Sequence, residues 1–210
     1  MEALFALLPA AISLAFFHTL VGVDHYIPFI ALGKSNNWTV KKTLLVAALC
    51  GVGHILSSVL LGLAGIGLSV GASKLADIQD VRGELAVWFL IAFGLVYMAY
   101  GIRKAVKNTP HTHARSSNTV WGLFILFALG PCEPMIPIIM YPALTENGVF
   151  ALVIITLTYA LITIATMLAA TFIGLKGLQM VKVKQLERYT HALAGFAVLA
   201  CGLAIKVFDI

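Results

Sequence analysis

The stretch FFHTLVGVDHYIPFIALGK, Phe16–Lys34, sets His18, Asp24 and His25, and a proline, Pro28, inside a run that is otherwise mostly apolar. Its echo lies in the second half of the chain: LFALGPCEPMIPIIMYPA, residues 126–143, carries Cys132 and Glu133 between Pro131 and Pro134. The surrounding composition says what solvent these stretches meet. Hydrophobic residues make up 60% of the 210 residues and charged residues 11%, with a mean hydropathy of +0.98, whereas soluble domains carry roughly 25% charged residues. So few charges cannot cover a surface in water, and a spanning helix needs about 20 mostly apolar residues. Six stretches meet that requirement: 3–32, 43–69, 85–102, 120–142, 149–174 and 189–208. A separate soluble domain has no polar segment to be built from.

The net charge of +5 marks orientation and not a nucleic-acid partner. Lys34, Lys41 and Lys42 fall in the first connection, Arg103, Lys104, Lys107 and Arg115 in the third, and Lys176, Lys182, Lys184 and Arg188 in the fifth. Positive loops stay cytoplasmic, which predicts a multi-pass protein of the cell (inner) membrane with both termini outside. The second connection, 70–84, reads as a loop of mixed charge. The third contains His111 and His113, too close in sequence to share a helix face, and reads as a solvated basic linker. Glu2 is the only early charge, which does not resemble the basic start of a cleaved signal peptide. Cys50, Cys132 and Cys201 stand far apart and form no disulfide framework.

An internal repeat is legible. Gly22-Val23-Asp24-His25 matches Gly130-Pro131-Cys132-Glu133, each followed by proline, and Gly94 and Gly101 in the third span match Gly195 and Gly202 in the sixth. An odd number of spans per half makes such repeats inverted. The fold expected is therefore all-α and integral to the membrane: residues 1–102 form one three-helix repeat, 103–119 a cytoplasmic linker and 120–210 a second repeat, with helices 1 and 4 broken.

The breaks locate the chemistry. A carboxylate at bilayer depth costs on the order of 2.5–3.5 kcal/mol, and Asp24 and Glu133 occupy matching places in the two halves. Pro28, Pro131, Pro134 and Pro137 interrupt helices, and broken backbone is tolerated at that depth only inside protein or beside a water-filled cavity. Imidazole, carboxylate and thiolate together suit a borderline divalent transition ion; a hard cation takes oxygen ligands. The expected metal-binding shell is Asp24, His25, Cys132 and Glu133, with His18 and His54 as ligands on the way in or as supporting partners. His18 and His25 stand about 10.5 Å apart along an unbroken helix, so sharing one ion requires unwinding near Gly22. Ser57 and Ser58, one turn past His54, read as path-lining or hydrogen-bonding residues. Gly62, Gly65 and Gly67 read as close helix contacts, Cys50 and Cys201 as inert packing, and His191 as a polar residue opening the last span.

HTLVGVDHYIPFIALGK, CGVGHILSSVLLGLAGIGL and GPCEPMIPIIMYP together resemble the urease-accessory UreH-like membrane proteins, which group with nickel/cobalt transporters and with the CcdA- and TauE-type short inverted-repeat families. The resemblance covers most of the chain. It implies a six-helix transporter of nickel, cobalt or a similar ion with ligands at His18, Asp24 and His25. Five residues separate His18 from Asp24 here, where nickel/cobalt permeases have four. The rival readings are a transmembrane thiol or redox carrier using Cys132 and an exporter of a small sulfur-containing anion. No enzyme arrangement, nucleotide motif or permanent cofactor is legible. The expected partners are the metal ion as substrate, the lipid bilayer, and a second copy of the chain or a metallochaperone.

Overall fold

A computed structural model describes residues 2–68, 71–107, 116–130, 148–180 and 188–208. The described residues are almost all helical: α1 (Glu2–Val21), a 3-10 turn (Val23–His25), α2 (Ile27–Ser35), α3 (Val40–Gly67), α4 (Ala72–Lys107), α5 (Ser116–Leu129), α6 (Gly148–Met180) and α7 (Thr190–Phe208). Val40–Gly67, Ser73–Val106, Gly148–Leu178 and Thr190–Phe208 are each long and apolar enough to cross a membrane. Leu7–Val21 and Val23–Ser35 form a pair bent by 79°, a fifth crossing if counted as one span. The shorter apolar helix Thr119–Leu129 opens the stretch expected as span four. The rest of that stretch, with Cys132, Glu133 and the prolines from Pro131 to Pro137, lies outside the described residues, as do His111 and His113.

The distribution of polarity is that of a protein dissolved in lipid. Along α3, Leu45, Leu49, Val52, Leu56, Leu60 and Leu63 recur at helical spacing and are all exposed, while the opposite face buries Thr43, His54 and Ser58. A soluble helix would be turned the other way round.

Local chemistry fixes the helix ends. Thr39 Oγ1 accepts from the Lys42 backbone N–H at 3.2 Å and caps α3. Asn37, with φ 53°, makes the turn from α2, a conformation that asparagine tolerates. The break in the first span is not made by Pro28. That proline sits in the first turn of α2, where its missing N–H needs no partner. The helix instead ends at Val21, and Gly22 leaves helical geometry (φ −69°, ψ 89°).

Two boundaries differ from the sequence reading. Residues 72–84, expected within a connection, are the first turns of α4, because Ala, Lys, Gln, Glu and Arg favour helix whether or not lipid surrounds them. The same helix runs on to Lys107, past the boundary set at residue 102, and α6 likewise extends to Met180.

The most extensive packing joins α4 to α7 in one antiparallel register. A Cβ on Gly101 would press on the Ala192 backbone, and one on Gly195 on the Met98 backbone; Gly94 faces the Leu199 backbone, and Gly202 faces Ile91. Elsewhere α1 packs on α6, and α3 on both α5 and α6. Phe29, Leu32, Ala47, Cys50, Leu123 and Met167 form the apolar centre where α2, α3, α5 and α6 meet.

Candidate metal-binding site

Gly22 allows the chain to fold back on itself. Its missing Cβ would stand 2.6 Å from His25 Nδ1 and 3.0 Å from Asp24 Oδ1, so any larger residue would displace the His25 ring. The turn swings His25 against His18, with ring centres 5.0 Å apart, and against His54 of α3, with ring centres 5.4 Å apart. One ligand atom from each of the three imidazoles lies within 4.8 Å of the others. The two histidines of the first span, about two helical turns apart in an intact helix, are neighbours because the helix stops between them.

Hydrogen bonding sets which nitrogen the rings of His25 and His54 offer. His25 Nδ1 lies 3.0 Å from the Gly22 carbonyl oxygen and 3.1 Å from Asp24 Oδ1. Both are acceptors, so Nδ1 carries the proton and, in the neutral ring, Nε2 carries a lone pair. His54 Nδ1 lies 3.2 Å from the Phe127 carbonyl oxygen, which fixes the same tautomer. Nε2 of His18, His25 and His54 are all buried without a hydrogen-bond partner among the described residues. A buried group left unsatisfied costs roughly 1–3 kcal/mol, and the three rings that carry these groups cluster together.

A cavity of about 620 Å³ opens over this cluster, lined by all three histidines, Asp24, Gly130 and the α4 residues Asp80, Gly83 and Glu84, with Lys206 of α7. It is far larger than a bare ion needs and roomy enough for water. Asp24 is 39% exposed at its side chain and lines this space. It stands behind His25, bonded to Nδ1, outside the group of three nitrogens.

Placement by residue is therefore mixed. His18, His25 and His54 come together, His54 as a full member of the group. Asp24 buttresses His25. Cys132 and Glu133 lie outside the described residues, so the facing of Asp24 and Glu133 across the two halves is not placed. Cys50 and Cys201 are free and buried. Ser57 donates to the His54 carbonyl (2.9 Å) and accepts from Arg82 Nη2 (3.1 Å), and Arg82 also donates to the Ala128 carbonyl oxygen at 3.0 Å, tying α3, α4 and α5. Tyr97 hydroxyl joins Ser35 and Asn36 of α2 (3.0 Å each) to His191 Nδ1 of α7 (3.1 Å), and Lys104 donates to His191 Nε2 at 2.9 Å. This network lies at the far end of these helices from the cavity.

Asp80 and Glu84, which the sequence reading left in a connection, and Lys206, which it left in the sixth span without a role, are cavity residues. A helical ladder was available to find them: 80, 83, 84, 87 and 90 recur at three- and four-residue steps, and all line the cavity. Comparison with protein-family models, with curated proteins and with solved structures gives no match.

Proposed function

We propose that the protein is a multi-pass membrane transporter whose substrate is a divalent transition-metal ion such as nickel or cobalt, held in passage by His18, His25 and His54. The observation that carries the reading is the clustering of three histidines beside a cavity of about 620 Å³: one ring nitrogen of each lies within 4.8 Å of the others, and each has a buried Nε2 with no hydrogen-bond partner among the described residues. Neutral imidazole is a preferred ligand of borderline ions, and Asp24 supplies one negative charge and orients His25, as carboxylates do behind metal-bound histidines. Metal–nitrogen bonds of about 2.0–2.1 Å place ligand atoms roughly 3.3–3.5 Å apart. The three nitrogens need only a small contraction to close on an ion, a looseness suited to cargo that must leave again. A thiol carrier would rest on Cys132 alone. An exported anion would meet Asp24 and three lone pairs.

The architecture proposed is six spans in two inverted repeats. Its support is the α4–α7 contact, where one sequence offset relates every partner (94 to 195, 101 to 202, 91 to 192, 98 to 199), so exchanging the helices reproduces the contact. The packing of α1 on α6 and of α5 on α3 exchanges in the same way. The distribution of lysine and arginine supports the inner membrane with both termini outside.

The test is cobalt binding by the purified protein in lipid nanodiscs, followed by its visible ligand-field spectrum. Stoichiometric binding with a nitrogen-rich, low-symmetry spectrum is expected, weakened at least tenfold in His25→Ala and in His54→Ala. A wild-type protein without a saturable spectrum overturns the reading.

A further inference from the structure

Above the imidazoles, the cavity carries charges that coordination does not use. Glu84 of α4 and Lys206 of α7 both line it, and Lys206 Nζ donates to Glu84 Oε1 at 2.9 Å. Asp80, one turn before Glu84, lines the same space. The pair is well solvated, with side chains 59% exposed at Glu84 and 44% at Lys206, and exposed ion pairs of this kind are weak and easily exchanged. Lys206 Nζ also stands 5.8 Å from the centre of the Trp88 ring. Trp88 lies four residues after Glu84, on the same side of α4, and an indole face is a good resting place for an ammonium.

We propose that the Glu84–Lys206 pair is the charge filter at the mouth of the cavity, in which Lys206 is a tethered cation that an arriving divalent ion displaces from Glu84. The proposal rests on the transport reading above. Three features support it together. The pair lies on the wall of the cavity whose floor holds the unpartnered nitrogens of His25 and His54. The carboxylate that attracts a metal ion is already occupied by a single positive charge, so a divalent ion competes for it with twice the charge and a monovalent ion on equal terms. Trp88 keeps the displaced ammonium beside the cavity, ready to return once the ion has moved on. Long-range attraction by Asp80, Glu84 and Asp24 brings the ion in, and Lys206 tempers that field.

The experiment is stopped-flow cobalt binding in nanodiscs at low and high ionic strength, on wild type, Lys206→Gln and Glu84→Gln. A charge acting at the mouth changes the association rate and leaves the bound spectrum alone. Lys206→Gln is expected to bind about tenfold faster at low salt, with a steeper salt dependence, and Glu84→Gln about tenfold slower with a shallower one. The double variant is expected to return towards the wild-type rate. Equal rates in all proteins, or rates that shift in the same direction in both single variants, overturn the filter while leaving the histidine site standing. A wild-type protein with no His25-dependent spectrum removes the transport reading and the filter with it.

Discussion

At Asp24 a single carboxylate does two things: one oxygen accepts from His25 Nδ1, and the side chain lends a negative charge to the cavity. Substituting Asp24→Asn keeps the size and a hydrogen-bonding group but removes the charge. Cobalt affinity is expected to fall 10–100-fold, as it does when carboxylates behind metal-bound histidines are lost, while the spectrum at saturation stays that of the wild type. A saturating spectrum with a changed ligand set would instead make Asp24 a direct ligand. Acidification acts on the same atoms. Each imidazole must present an unprotonated ring nitrogen to coordinate, so protons compete with metal and affinity is expected to fall as pH is lowered. Cobalt titrations at descending pH, with proton release measured alongside, check the sign: binding must release protons. His18, His25 and His54 could be singled out in the sequence because ionisable groups in an apolar run demand a reason, but not their grouping, since the sequence reading makes His18 and His54 peripheral to a shell of Asp24, His25, Cys132 and Glu133. That Asp24 sits behind a ring was not legible, because the choice between ligand and support depends on a rotamer and a backbone turn.

The first span works as an element because it fails as a helix. Gly22→Ala is expected to cost more than tenfold in cobalt affinity with the protein still folded, since the added methyl would stand 2.6 Å from His25 Nδ1 and must push the ring out of the group. Unchanged binding in this variant would show that the fold-back is not what assembles the site. The α4–α7 contact makes the opposite demand, for close approach without a break. Gly101→Val places side-chain atoms against the Ala192 backbone, which cannot step aside, and is expected to lower stability by about 1–3 kcal/mol, as overpacking does. Thermal unfolding in detergent measures it, with Gly67→Val, where nothing lies within 4 Å of the added Cβ, as the comparison. The glycine pairs were visible in the sequence as a repeat, but their function as a mutual contact was not, because spacing reveals a shared face without naming the partner. The reading of 70–84 as a loop failed for a related reason: charge says where lipid ends, not where the helix ends.

For the whole molecule, polarity sets both direction and access. The lysines around the α2–α3 turn predict a cytoplasmic location for that turn, while Asp80, Glu84 and Lys206 lie at the opposite ends of their helices. In the proposed orientation the cavity faces the outside, and the Tyr97–His191–Lys104 network lies towards the cytoplasm. With Cys50 and Cys201 buried and Cys132 replaced by serine, Asn37→Cys is expected to react with a membrane-impermeant maleimide only in inside-out vesicles. Labelling in right-side-out vesicles would invert the orientation and, with it, the direction in which the cavity faces. From its residues alone, this chain is determined to be helical, to lie in lipid and to carry its ionisable groups near a break, because hydropathy and helical spacing are local properties. Only the tertiary structure decided that His18, His25 and His54 share one point and that the start of α4 walls the cavity above them. Those facts depend on how far Gly22 turns the chain and on which helix faces meet, and both are settled by contacts between residues distant in sequence.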